Sequence, residues 1–305
     1  MAFVPGPAYV QLPRAPETWL IEDLLPTGGA MNLYGKPKGG KSYLALQMAV
    51  AISTNAPEVL GFKVRSHGPV CYLQIDTPRG LFATKYIDRI SAHYDTSNVF
   101  IADSLITPYP FNILGEGGIW LRNNLAELIT PPVLLIIDTL RELHSGDEND
   151  SSVMRNVMVA ISAACRAVSP PPALILLSHA RKSDPKAPDD AGDLMSSNRG
   201  SNYISGRMDS ILQIATKKKS PDGYLNFQSR SIEEGSLKIT RDDVGFWRRK
   251  IDDDLVFATQ MLSIYPTLSH NALAKKLVIE SGRGSVSTWT RRLQEVINPH
   301  NNAIL

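Results

Sequence analysis

The run Gly35-Lys36-Pro37-Lys38-Gly39-Gly40-Lys41-Ser42 constrains this chain more than any other stretch, because it satisfies the pattern G-x-x-x-x-G-K-S/T between a strand-like and a helix-like run. Ala30 to Tyr34 reads as a short buried strand, and Tyr43 to Val50 as a helix of good helix formers. Glycine lets the backbone curl so that successive N–H groups point at phosphate oxygens, and the following helix adds the positive end of its dipole. The loop therefore implies a bound nucleotide, with Gly35, Pro37, Lys38, Gly39, Gly40, Lys41, Ser42 and Tyr43 around its phosphates. Lys41 is expected to neutralise the β and γ phosphates of ATP, and the Ser42 hydroxyl to hold Mg²⁺.

A chain of 305 residues can bury one large core with a small satellite. Residues 1–16 are proline-rich and predict an irregular N-terminal arm; 17–250 predict the nucleotide-binding domain; 251–305 predict a small helical domain. Within the larger unit, apolar runs over 70–75, 99–102, 133–137 and 173–177 alternate with helical stretches over 81–93, 119–129 and 153–168. Continuous apolar strands between helices indicate an α/β fold with a parallel sheet covered on both faces. Further strands are expected over 210–215, 224–227, 237–240 and 245–247, the last three antiparallel. Helices over 255–264, 269–278 and 285–297 have helix-turn-helix spacing, with Ser269 and Ser285 as N-caps.

Ligands of parallel sheets sit beyond the carboxyl ends of the strands. The phosphate loop, Asp76, Asp138 and His179 all fall at such ends. Asp138 is the expected carboxylate on the Mg²⁺ side, although an Asp at a strand end also caps helices. Asp76 is the candidate to polarise an attacking water, against a plain turn over Asp76-Thr77-Pro78. His179 is placed to contact the γ phosphate. Trp19 could stack near the base or serve as a core or lid aromatic.

Cations follow His179. Arg199 and Arg207 are candidates to stabilise transition-state charge in a neighbouring subunit's site. Lys182 and the Lys217 to Lys219 run could meet phosphate or form a wet edge. Arg291 and Arg292, with Ser285, Ser287, Thr288 and Trp289, would dress a DNA-contacting helix, an arrangement equally used for protein contacts. A formal net charge of +2 gives the molecule no overall preference for polyanions, so any such site is local. The two cysteines, Cys71 and Cys165, have no metal-ligand spacing and suit a reducing cytoplasm; no apolar run is long enough to cross a membrane.

Several stretches together resemble the RecA-like ATPases related to plasmid replicative hexameric helicases, the RepA-like family. They are Trp19-Leu20-Ile21 through Leu24-Leu25-Pro26, the phosphate loop, Tyr72-Leu73-Gln74-Ile75-Asp76, Ile136-Ile137-Asp138-Thr139-Leu140 with Gly146 to Asp150, Leu176-Leu177-Ser178-His179, Arg199-Gly200-Ser201 and Gly245-Phe246-Trp247-Arg248. The resemblance covers roughly residues 17–250 and implies a RecA-like P-loop core. It also implies a ring, usually of six subunits, with ATP at subunit interfaces, single-stranded DNA in the channel and replication partner proteins. Three departures stand out. Asp76 replaces the family's catalytic glutamate, Ser178-His179 replaces its paired histidines, and its arginine-finger position falls on Asp209, two residues after Arg207. The alternative function is an ATP-switched DNA-binding or loading protein without processive unwinding.

Overall fold

The computed structural model describes residues 4–6, 8, 11, 18–180, 202–216, 220–250, 253–282 and 284–297. The expected N-terminal arm lies mostly outside them, as do Arg199, Lys182 and Lys217 to Lys219.

A hairpin of β1 (Trp19–Ile21) and β2 (Leu25–Pro26) leads into β3 (Ala30–Gly35), the phosphate loop and α1 (Lys41–Ser53). A second small hairpin, β4 (Glu58–Val59) and β5 (Phe62–Lys63), precedes β6 (Val70–Gln74). A helical run follows as α2 (Arg79–Phe82), a π turn over Ala83–Ile87 and α3 (Asp88–Ser91). Then come β7 (Val99–Asp103), α4 (Glu116–Ala126), β8 (Leu134–Asp138), α5 (Ser151–Cys165), β9 (Ala173–His179), α6 (Asn202–Ser205) and β10 (Ser210–Thr216). The strands end with β11 (Asp222–Ser229), β12 (Gly235–Arg241) and β13 (Trp247–Arg249), and the helices with α7 (Asp253–Ile264), α8 (His270–Ser281) and α9 (Val286–Ile297).

Among the described residues the main sheet has the order β13-β12-β11-β10-β3-β9-β8-β6-β7. The six strands from β10 to β7 are parallel, and β10 to β13 form an antiparallel meander, as the sequence pattern predicts. One face packs on α1, the β4–β5 hairpin and the α2–α3 run; the other packs on α4, α5 and α6. The register brings Gly35 opposite both His179 and Ile214, and Gln74 opposite both Asp103 and Asp138. The carboxyl ends of the parallel strands thus form one edge.

Helix α1 is buried on all sides, with Leu44, Ala49 and Ile52 wholly inaccessible, because the sheet covers one face and the β13 segment another. Full burial of each large aliphatic contributes about 1.5–3 kcal/mol, so this helix anchors the loop firmly. Helix α4 starts and ends three residues earlier than predicted. Its first turn closes over the preceding loop so tightly that a Cβ at Gly118 would lie 2.2 Å from the Ile113 carbonyl oxygen, so glycine here permits the packing. Asp150 caps α5 by accepting from the Ser152 amide at 2.7 Å, and the prolines at 170–172 follow its end.

Helices α7, α8 and α9 share their own core of Ala258, Met261, Leu273, Leu277, Trp289 and Leu293. Both predicted caps are present, with Ser269 accepting from the Ala272 amide and Ser285 from the Thr288 amide. Between α8 and α9, Gly282 adopts φ +66°, the left-handed turn that stops a helix.

Candidate nucleotide site

The phosphate loop leaves the carboxyl end of β3 and re-enters as α1, whose first amides have no intrahelical acceptor and face the loop mouth. Gly40 sits at φ +94°, and a Cβ there would come within 2.7 Å of the Trp247 ring. Only glycine satisfies both the dihedral and the contact. Lys41 Nζ donates to the carbonyls of Gly35 (3.1 Å) and Lys36 (3.3 Å) and lies 3.4 Å from His179 Nδ1. Burial lowers the Lys41 pKa, opposed by the carboxylates of Asp138 and Asp76.

Ser42 Oγ donates to Asp138 Oδ2 at 2.7 Å, and the Tyr72 hydroxyl donates to the same oxygen at 2.8 Å. Asp138 is therefore engaged with the loop and caps no helix, which removes the alternative reading of this residue. Burial pushes its carboxyl upward; the hydrogen bonds from Ser42 and Tyr72 and the charge of Lys41 pull it back, while Asp76 adds to the rise. Burial likewise drives the Tyr72 phenol well above its ordinary range, reinforced by Asp138.

Ser42 and Asp138 offer hard oxygen donors side by side, which suits Mg²⁺. No group of three His, Cys, Asp or Glu suited to a metal occurs among the described residues. A divalent cation here would take its remaining ligands from phosphate oxygens and water, the usual mode for Mg²⁺ in phosphoryl-transfer sites.

Asp76 lies two residues beyond β6, next to a backbone bond from the Ile75 amide to the Asp138 carbonyl. The turn after it is closed by Gln74, whose Oε1 accepts from the Thr77 amide at 2.7 Å and whose Nε2 donates to the Thr77 carbonyl. The Asp76 carboxylate takes no part in that turn and is exposed at the strand-end edge. His179 ends β9 beside Lys41, whereas Ser178 Oγ donates sideways to Asn32 Oδ1 within the sheet. The position of the family's second histidine is thus a core position here.

One expectation is narrowed, and one residue takes the core reading of its two alternatives. The Tyr43 side chain is buried: its hydroxyl donates to the Lys85 carbonyl (2.9 Å) and its ring lies against Gly245 and Tyr86, so only its backbone amide remains for phosphate. Trp19 belongs to the hairpin that feeds the amino end of β3, away from the loop, and is partly buried there; it cannot stack on a base held by its own chain's loop.

Arg207 lies just before β10, at the amino edge of the sheet, with its guanidinium over the Tyr203 ring. Its own phosphate loop is at the opposite edge. Asp209, also on the amino edge, accepts from the Ala30 amide at 2.8 Å and pairs with Arg230 Nε at 2.9 Å. Arg230 follows β11 and remains 72% exposed. The Arg291 side chain is outside the described residues; Arg292 is partly buried on α9.

Sequence reasoning missed Tyr72, Gln47, Trp247 and Arg230. Gln47 on α1 makes a two-way bond to the Trp247 backbone, donating to its carbonyl and accepting from its amide, both at 2.8 Å. Trp247 Nε1 donates to the Gly40 carbonyl at 3.2 Å, and Arg241 lies over the Trp247 ring. The available cues were a polar Gln inside an otherwise apolar helix and the presence of Tyr72 and Trp247 in the stretches that carry the family resemblance.

A family model described as an AAA domain matches residues 8–185, more than half of the chain. The chain belongs to the AAA domain family. The matched span contains the phosphate loop, Asp76, Asp138 and His179, whereas Arg207, Arg230 and Trp247 lie beyond it. No curated protein matches this AAA-domain chain. Among solved structures it resembles the ATPase domain of G40P (14% identity, TM-score 0.54, covering 73% of this chain and 85% of that one). It also resembles a DnaB-like replicative helicase described with its primase interactions (12%, TM-score 0.56, 80% and 66%). The RadB recombinase is a third such structure (13%, TM-score 0.51, 74% and 93%). These likenesses establish a RecA-like P-loop ATPase fold. None of the described helices is long and apolar enough to cross a membrane.

Proposed function

We propose that this AAA-domain protein is a ring-forming, ATP-hydrolysing DNA motor of the replicative helicase type, serving a plasmid or phage. The observation that carries the reading is the division of charged groups between the two edges of one sheet. The carboxyl edge holds Lys41, Ser42, Asp138, Asp76 and His179; the amino edge holds the exposed cations Arg207 and Arg230.

Lys41 would exchange its carbonyl partners for phosphate oxygens, and Ser42 and Asp138 would hold Mg²⁺. When bound, that cation neutralises charge on the β and γ phosphates. Asp76 would orient the attacking water, its shorter side chain standing back from the γ phosphate relative to glutamate, and His179 would report phosphate occupancy to Lys41. An arginine reaching across from a neighbouring subunit would stabilise the transferring phosphoryl group. Arg230, Arg207 and Arg199 are the candidates. Arg230 is favoured because Asp209, at the position the resemblance gives to the finger, fixes it by an ion pair while leaving it exposed.

Assembly is supported by an apolar surface beside the edge strand β7, where Phe100, Leu105, Ile106 and Ile119 are exposed. Single-stranded DNA in the channel and contacts from Lys182, Arg291 and Arg292 remain part of the proposal, as do a cytoplasmic location and contacts with replication proteins. The separate core of α7 to α9 favours a second reading, an ATP-switched DNA-binding or loading protein.

A forked-duplex strand-displacement assay distinguishes the two. ATP-dependent displacement is expected of a helicase. Turnover stimulated by DNA with no displacement would leave the loader reading and sink the helicase one.

A further inference from the structure

We propose that Tyr72 is the positioning residue for the Mg²⁺ carboxylate, acting through Asp138 and touching neither metal nor nucleotide. This rests on the nucleotide site proposed above. Tyr72 stands in the middle of β6, wholly buried, with its ring against Phe82. Register places Tyr72 opposite Ile136, two residues before Asp138 on the neighbouring strand, so its side chain emerges on the face toward α1 and reaches up to the Asp138 head. Its hydroxyl donates to the same oxygen, Oδ2, that accepts from Ser42.

The two donors differ in kind. The Ser42 hydroxyl belongs to the helix start and must also turn lone pairs toward a cation. The Tyr72 hydroxyl is set by a rigid ring in the core and has no such second duty. It therefore fixes the rotation of the Asp138 carboxylate, so that Oδ1 and the free lone pairs face the cation while Oδ2 stays tied back. A carboxylate held this way meets Mg²⁺ preorganised, and loss of comparable outer partners weakens metal sites by about 10–100-fold.

The test uses Tyr72→Phe in the full chain, which keeps the ring and removes one oxygen. Binding of a fluorescent ATP analogue is titrated with Mg²⁺, and Mn²⁺ uptake in the presence of nucleotide is followed by electron paramagnetic resonance. The expected result is a half-saturating metal concentration raised about tenfold, with metal-free nucleotide affinity and the thermal unfolding midpoint close to wild type. A metal dependence within about twofold of wild type would overturn the proposal. In an Asp138→Asn background the effect of Tyr72→Phe on metal affinity should vanish; an undiminished effect would show that Tyr72 acts elsewhere and would also overturn it. Should Tyr72→Phe prove unstable, para-fluorophenylalanine at position 72, which fills the hydroxyl's space without a donor, takes its place: a half-saturating metal concentration raised about tenfold supports the proposal, and one within about twofold of wild type counts against it. Wild-type protein that binds no nucleotide in any metal would instead bring down the underlying site, a distinguishable failure.

Discussion

The two edges of the central sheet are built on opposite principles. At the carboxyl edge the two groups at the centre are withdrawn while Asp76 stays exposed: Lys41 and Asp138 are buried, each satisfied by neighbours within 3.5 Å, and their pKa values are moved by burial before anything else. At the amino edge the carboxylate of Asp209 is tied into the sheet, and the cations it and Tyr203 organise, Arg230 and Arg207, stand in solvent. A buried, preorganised set is what binding and polarising a phosphate requires; an exposed, anchored cation is what reaching another molecule requires. The contrast teaches how the proposed hydrolytic site would be divided, each edge of one chain supplying the half that the other lacks.

The largest expected effect attacks the buried edge. Lys41→Ala should abolish nucleotide binding and reduce turnover by at least about 10²-fold, measured by equilibrium binding and phosphate release. Near-normal activity would mean the phosphates sit elsewhere. At the exposed edge the pattern should differ. Arg230→Ala is expected to leave nucleotide affinity within about threefold of wild type while lowering turnover by about 10³-fold. A raised Kd with unchanged turnover would remove Arg230 from transition-state stabilisation and return Arg207 to the front.

Smaller effects sharpen the comparison. Trp247→Phe removes the donor to the Gly40 carbonyl and should weaken nucleotide binding about five- to tenfold, the worth of one buried hydrogen bond. Because that ring touches the phosphate loop, its intrinsic fluorescence should change on nucleotide addition in the wild type and not in Lys41→Ala.

At the rim of the carboxyl edge, Arg79 bonds Asp103 through Nε (2.6 Å) and Nη2 (2.8 Å), which holds the Asp103 carboxyl below its ordinary range. A depressed carboxyl contributes stability that is present above the ordinary carboxylate pKa and is lost as pH falls through the lowered value. Arg79→Gln should therefore lower the unfolding midpoint by about 2 °C near neutrality, with the difference closing in strong acid.

Much of the carboxyl edge was legible in the sequence because each of its members ends a locally readable element. The apolar runs 133–137 and 173–177 announce strands, and the polar residues just after them, Asp138 and Ser178-His179, must lie at the ligand edge. The partners that hold those groups were not legible. Tyr72 lies 66 residues from Asp138 and Trp247 lies 207 from Gly40, so their bonds depend on strand order and on the antiparallel half of the sheet folding over α1. Neither residue breaks the pattern of its own strand: each looks like an ordinary core aromatic until the register is known. Ser178 shows the converse: it stands where the resembling family has a histidine, and its hydroxyl bonds sideways to Asn32. The Asp209–Arg230 pair was hidden because it joins the start of one strand to the end of the next, which local spacing does not encode.

Mixing subunits tests the division between the edges most directly. Lys41→Ala and Arg230→Ala proteins, each inactive alone, are combined in equal amounts and assayed for ATP turnover. If the site is shared, the mixture regains activity, because about one interface in four pairs an intact Lys41 with an intact Arg230 from the neighbour. A mixture no more active than its two components would contradict a site divided between subunits.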